Sequence, residues 1–476
     1  MPGPGPLCLL VKAAAPGSGM MHSLPTGPLD AVEIPGIPAS LWPLLQRAAA
    51  GDRLALVGGA VRDLLLHTVH RDPWRGVTDL DLVVDGCEGA TPDAEGCDPQ
   101  AAQRLGQALG RQLGPASLKL QEHGAYGTVE MELQLAEGPL LIDLATARLE
   151  RYPVAAENPL VQAGRLEDDL ARRDFSINAM ALVLTPQSAE EFRSDSSGDC
   201  GGADLLAGPS LVLLDPHGGQ ADLAHRQLRF LHAGSVRDDP TRLIRAARYA
   251  ARLGFRLAAE SRSQAQVTLV AWPWSWCQGQ DPALAPAALG TRLRRELELL
   301  LEREPWQAAL AALQDWGALA LLDGGLQADR HWRRRLRWAA RFGLPPLVAL
   351  LAGANDPLAL AERLQLPQRQ QHLLAQWLLL VERLEQASWP GSTGAWSPSR
   401  WSALLEGGGG TPAAVALALA AGSGPRRPLL RWWLRWRHLR GDLTAADLLA
   451  AGIAPGPELG ERLRHARAER LDRERL

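Results

Sequence analysis

"TDLDLVV", residues 78–84, sets two aspartates two positions apart inside an apolar run. Successive side chains on a strand alternate faces, so Asp79 and Asp81 project together. Two neighbouring carboxylates repel each other unless a cation neutralises them. Their hard oxygens suit Mg²⁺, which also takes phosphate oxygens as ligands, and such ions activate a hydroxyl and hold a leaving pyrophosphate. A solvent-facing strand end would carry the same pair, so its meaning is set by the surrounding chain.

Upstream, "LALVGGAVRDLLL" (54–66) runs an apolar strand into Gly58-Gly59 and then into a helical pattern bearing Arg62. Glycines at such a turn let a phosphate approach the free N–H groups of a helix N-terminus, although glycine joins strand to helix in many folds. Downstream, "LEDDLARRDFSINAMAL" (166–182) places Arg172, Arg173 and Asp174 before a run that reads as helical. Adjacent guanidiniums can grip a triphosphate, with Asp174 orienting one of them or capping the helix; a solvated charge cluster is the plainer reading. From about residue 53 to 185, short strand-like and helical runs alternate, which predicts a mixed α/β domain.

From residue 241 onward Leu, Ala and Arg dominate at helical spacing, so the C-terminal half is predicted all-helical. It opens on "RDDPTRLIRAARYAARLGF" (237–255), where Asp239 caps a helix begun by Pro240. Arg242, Arg245, Arg248 and Arg252 share about a third of the helix circumference. A surface stripe would explain the arginines, but Asp239 three positions before Arg242 lets a carboxylate and a guanidinium address one ligand. Such a pair would accept the amino-beside-acceptor edge of adenine or cytosine and reject guanine and uracil.

The 476 residues, 46% hydrophobic and 22% charged, describe a globular protein of several domains rather than a fibrous or disordered one. A net charge of −3 gives no global attraction to nucleic acid, so any such contact must be local. "RHWRRRLRWAAR" (330–341) and "RRPLLRWWLRWRHLR" (426–440) each hold six arginines and no acidic residue. Arg333, Arg334, Arg431 and Arg435 are the expected RNA contacts, against the alternative of core tryptophans ringed by snorkelling arginines. Five scattered cysteines, never in CxxC spacing, argue against a disulfide framework or a zinc site and for a reducing, cytoplasmic setting. The Pro/Gly-rich first 30 residues read as a disordered leader, and no stretch suggests a membrane span.

In this order, "LVGGAVRD", "DLDLVV", "RRDFSINAMAL", "DPHGGQADL" and "DDPTRLIRAARYAARLGF" resemble the motifs of class II tRNA nucleotidyltransferases and bacterial poly(A) polymerases, over roughly residues 54–256. The resemblance implies an α+β architecture: a polymerase-β-like head over 31–215, a helical nucleotide-recognition neck over 216–310 and a helical, tRNA-binding body and tail over 311–476. It implies Asp79 and Asp81 as catalytic Mg²⁺ ligands, with Asp143 as a possible third. Gly58, Gly59, Arg62, Arg172, Arg173, Asp174, Asn178 and Arg245 are then expected at the nucleotide, Asp239 and Arg242 as its protein template, and "DPHGGQ" as the hinge that re-aims that template. The implied partners are tRNA, ATP and CTP. The basic stretch that marks poly(A) polymerases is missing, which favours tRNA, while "ARLERYPVAAENPLVQAGRLEDDL" (147–170) resembles members that add only the terminal A. Poly(A) synthesis and a catalytically silent RNA-binding relative are the alternatives. Asp238 stands where the family usually has Glu, and with no His-Asp dipeptide an appended metal phosphohydrolase is not expected.

Overall fold

A computed structural model describes residues 34–77, 79–87, 96–114, 117–123, 127–135, 138–184, 211–387 and 396–473. The expected leader, the Gly/Ser-rich stretch 193–204 and the middle of the insertion 85–99 lie outside the described residues. The chain gathers into two compact units: Met1–Val154 with Asn158–Asp238 and Gly254–Gln264, and Ala155–Glu157 with Asp239–Leu253 and Ala265–Leu476.

The first unit is built on a seven-stranded mixed sheet of order β3-β4-β5-β2-β1-β8-β9. Its strands are β1 (Arg53–Val57), β2 (Asp79–Asp85), β3 (Leu118–His123), β4 (Thr128–Leu135), β5 (Gly138–Thr146), β8 (Ala181–Leu184) and β9 (Leu211–Leu214). A separate ribbon pairs β6 (Arg148–Arg151) with β7 (Leu160–Ala163). β2 is parallel to β5 and antiparallel to β1. On one face Leu54, Leu56, Leu80 and Leu82 are each at most 1% exposed, and burying each stabilises the fold by roughly 1.5–3 kcal/mol. On the other face Ala55, Val57, Val83, Ala181 and Val183 pack against Leu166 and Leu170 of helix α4 (Leu166–Ala171). Asp79, Asp81 and Val83 have the same parity. The face that carries the carboxylates therefore also carries α4.

Two local readings are corrected. The apolar run after Arg173 is not helical: a single 3₁₀ turn (Ser176–Asn178) leads into β8, whose four residues are all buried. A strand buried on both faces reads as a continuous apolar run, which periodicity alone does not separate from a buried helix. Cys87 and Cys97, expected to be free, face each other as an antiparallel bridge and are joined by a disulfide. The two cysteines stand ten positions apart, a pairing that sequence spacing does not dictate. "DPHGGQ" is a tight turn in which the buried Asp215 accepts the backbone N–H groups of Gly219 and Gln220 at 2.6 and 3.0 Å.

The second unit is helical. Helix α6 (Thr241–Leu253) packs on α7 (Thr291–Arg303) and α8 (Trp306–Trp316). Beyond them, α9 (Trp332–Arg341) and α10 (Gln368–Gln386) pack around α11 (Pro412–Ala421), and α12 (Arg426–Leu434) follows α11. Among the described residues no single helix is long and apolar enough to cross a membrane; the apolar α11 is buried from Ala414 to Ala420.

Candidate active site

β2 and β5 pair in register with Asp81 opposite Asp143. Oxygens of Asp79, Asp81 and Asp143 all lie within 4.8 Å of one another, a set able to hold a metal ion. Burial pushes the Asp81 carboxyl up to about 6; Arg173 pulls it down, while Asp79, Asp143 and Asp169 push it further up.

The α2 helix (Gly59–Thr68) begins beside this cluster. Gly58 sits at φ 74°, ψ −133°, and a Cβ there would meet Arg173 Nη1 and Asp81 Oδ2 at 3.1 Å each. Glycine therefore answers both a backbone conformation that L residues avoid and a close approach. A helix N-terminus and a guanidinium are thus brought to one side of the carboxylates, a combination that suits an anion.

Asp169, which sequence reasoning passed over, organises the arginines. It is fully buried, accepts from Arg172 Nη2 at 2.6 Å and Nε at 2.9 Å, and from Arg173 Nη2 at 2.8 Å. Glu150 of β6 takes Arg172 Nη1 at 3.1 Å. Burial works to raise the Asp169 carboxyl, but Arg173 and Arg172 hold it below the ordinary carboxylate range. The available signal was spacing: Asp169 precedes the arginines by three and four positions, one helical turn. Asp174 lies half-buried past the end of α4.

Arg62 is placed as a strut. It is 3% exposed, grips Asp63 through two bonds of 2.8 and 2.9 Å, and donates from Nη1 to Asn178 Oδ1 at 2.8 Å. Arg62 and Asn178 thus tie α2 to the turn after Arg173. A Cβ at Gly59 would stand in ordinary contact with Arg62, 3.4 Å from Nη2.

In the second unit Asp239 and Arg242 are 1% and 2% exposed. Asp239 Oδ1 accepts from the N–H and hydroxyl of Thr241 at 3.0 and 2.6 Å, and Oδ2 accepts from Arg245 and Arg292 at 3.0 and 2.5 Å. Burial opposes ionisation of Asp239, yet Arg245 and Arg292, with Thr241 and Arg242, hold it far below the usual carboxylate range. The rest of the arginine stripe meets acids: Arg248 bonds Glu296 at 2.5 Å, and Arg252 bonds Glu304. α6 is therefore cross-linked to α7 and to Glu304 just beyond it, and is not a free basic surface.

Arg333, Arg334, Arg431 and Arg435 are all exposed, whereas Trp332, Trp432 and Trp436 are buried. The tryptophans pack as core, as the alternative reading expected, and the four arginines face solvent. Trp338, Phe342 and Trp433 form a chain of ring contacts of 5.6 and 5.1 Å, capped by Arg341 and Arg426 over Trp338 and Arg437 over Trp433. Arg335 is structural, bonding Asp329 and the carbonyls of Ala349 and Leu350.

Residues 54–229 match the poly A polymerase head domain family. The chain is 34% identical over 428 residues to the CC-adding tRNA nucleotidyltransferase of Deinococcus radiodurans, covering 89% of this chain and 86% of the relative. It is 31% identical to the A-adding tRNA nucleotidyltransferase of Halalkalibacterium halodurans, over 59% of this chain and 53% of that one. An apo CCA-adding enzyme structure superposes with TM-score 0.61 at 25% identity, covering 91% of this chain and 92% of the other.

Proposed function

Since this chain belongs to the tRNA nucleotidyltransferase family, we propose that it adds CMP and AMP, from CTP and ATP, to the tRNA 3′ end without a nucleic-acid template. The observation that carries this reading is the Asp79–Asp81–Asp143 cluster set against the Gly58 turn and Arg173. The all-oxygen donor set fits Mg²⁺, and burial, with the neighbouring charges of Asp79, Asp143 and Asp169, raises the range of Asp81, a cost that a shared cation would relieve. The cation, when bound, supplies charge stabilisation at the α-phosphate and acidifies the attacking hydroxyl. The 3′-hydroxyl attacks the α-phosphate, the bond to the bridging oxygen breaks, and pyrophosphate leaves toward the α2 N-terminus and Arg173. Arg172, held by Asp169 and Glu150, fixes the position of its neighbour. We assign the head to 31–215, the neck to 216–310 and the tRNA-binding body and tail to 311–476, and we place the reaction in the cytoplasm.

Base choice is assigned to Asp239 and Arg242. With Asp239 saturated by Thr241, Arg245 and Arg292, a base reaches its carboxylate only when one of those arginines lets go. GTP and UTP are then rejected because neither presents an amino donor beside an acceptor in the required order.

The test is incorporation of labelled CTP, ATP, GTP or UTP into tRNA lacking its tail, tRNA lacking only the final A, and complete tRNA. Label from CTP or ATP alone, ending at the complete tail, is the expected result. Long A tracts on any RNA would replace this reading by poly(A) synthesis, and tRNA binding without incorporation would replace it by a silent relative.

A pH dependence follows from Asp81. Protons and cation compete for its carboxylate, so Mn²⁺ affinity, measured by calorimetry, is expected to be roughly tenfold weaker at pH 5 than at pH 7. For the metal-free chain the sign is opposite. A folded-state value of about 6 exceeds the unfolded one, so Asp81's contribution to stability is present at low pH and is lost as pH rises through 6.

A further inference from the structure

We propose that the open face of strands β2 to β5, beside Asp79 and Asp143, seats the base and ribose of the RNA's 3′-terminal nucleotide, with Leu141 as its apolar contact. The registers align two rows across four strands: Asp79–Leu141–Glu132–Lys119 and Asp81–Asp143–Glu130–Gln121. All eight side chains share one face by alternation. At about 4.8 Å per strand each row spans roughly 14 Å, wide enough for a nucleoside. A cavity of about 460 Å³ opens over all of them but Asp81, reaching from Asp79 and Asp143 to Lys119, within the roughly 300–1,000 Å³ range of ligand pockets.

Two arguments choose the occupant. The first is directional and rests on the nucleotidyl-transfer reading above. In an in-line displacement the attacking and leaving oxygens lie on opposite sides of the phosphorus. Gly58 and Arg173 border Asp81 on the β1 side, which takes the triphosphate. The hydroxyl-bearing nucleotide then approaches over β5, β4 and β3.

The second argument is chemical. Five carboxylates line the two rows, and their one cation, Lys119, is paired with Glu132 at 3.2 Å. Such a face offers acceptors to hydroxyl donors. Leu141, 49% exposed, is the one apolar side chain in either row, placed to lie against a sugar or base. Glu130, between Asp143 and Gln121, is placed to accept from a ribose 2′-hydroxyl, the group that distinguishes RNA from DNA.

Leu141→Ala is expected to raise the KM for tRNA lacking its final A about tenfold, with the KM for ATP unchanged. Glu130→Gln is expected to reduce the preference for a ribose over a 2′-deoxyribose terminus. Both sites are exposed, so the melting temperatures should match wild type. A second measurement reads the seat directly: tRNA carrying a photoreactive base at its 3′ end should crosslink within 138–146. Unchanged tRNA KM values, an increased ATP KM, or crosslinks elsewhere would each overturn the proposal. A wild-type chain that adds no nucleotide yet crosslinks within 138–146 would refute the transferase reading and leave this seat standing.

Discussion

Asp81→Asn is expected to abolish nucleotide incorporation, by roughly 10³-fold or more in kcat, in a protein that still folds and binds tRNA. Asp81 belongs to the three-carboxylate cluster and lies against the Gly58 turn. Neutralising it removes one of the three carboxylates proposed to hold the cation where charge develops. Folding should not suffer, because the wild-type carboxylate is held under burial and the repulsion of Asp79, Asp143 and Asp169. Without cation, at pH 7.5, the variant is expected to melt at or above the wild-type temperature, and saturating Mg²⁺ should raise the melting point of wild type alone. Asp79→Asn should match it in activity. Turnover near the wild-type rate in both variants would remove the cluster from the mechanism.

Asp169→Ala is expected to cost stability as well as activity, by about 3–5 kcal/mol in urea denaturation. Asp169 is fully buried and takes four hydrogen bonds from Arg172 and Arg173, so its removal takes the shared counter-charge from two guanidiniums inside the fold, while Arg172 keeps Glu150. Asp169→Asn keeps the shape and one acceptor oxygen and should cost less. In either variant that remains folded, Arg173 loses its anchor beside Gly58, and the KM for ATP should rise while tRNA affinity holds. A stable Asp169→Ala protein with unaltered ATP KM would show that the arginines position themselves.

The head was legible because its signals are local and periodic. Strand alternation put Asp79 and Asp81 on one face, and paired glycines marked a turn where backbone must approach other groups. The C-terminal half was legible through composition, since Leu, Ala and Arg at helical spacing with few β-branched residues leave little alternative. The segment after Arg173 was misread because a strand buried on both faces has no polar side to betray its period. The cysteines were misread because spacing does not report which of them the fold brings side by side.

What the sequence determined by itself is the chemistry: a carboxylate pair on a strand, a glycine turn before a helix, and arginines beside both. These follow from the fixed geometry of strand and helix, which a few consecutive residues specify. Tertiary structure decided which charges act on which. It gave Arg172 and Arg173 to Asp169, made Arg62 a strut to Asn178, bound Asp239 to Arg245 and Arg292 rather than leaving it paired with Arg242 alone, and set Asp143 opposite Asp81 across a parallel strand pair. Charges act over a few ångströms of space irrespective of chain separation. Their pairing, and the open face beside the cluster, emerge only when strands distant in sequence come into register.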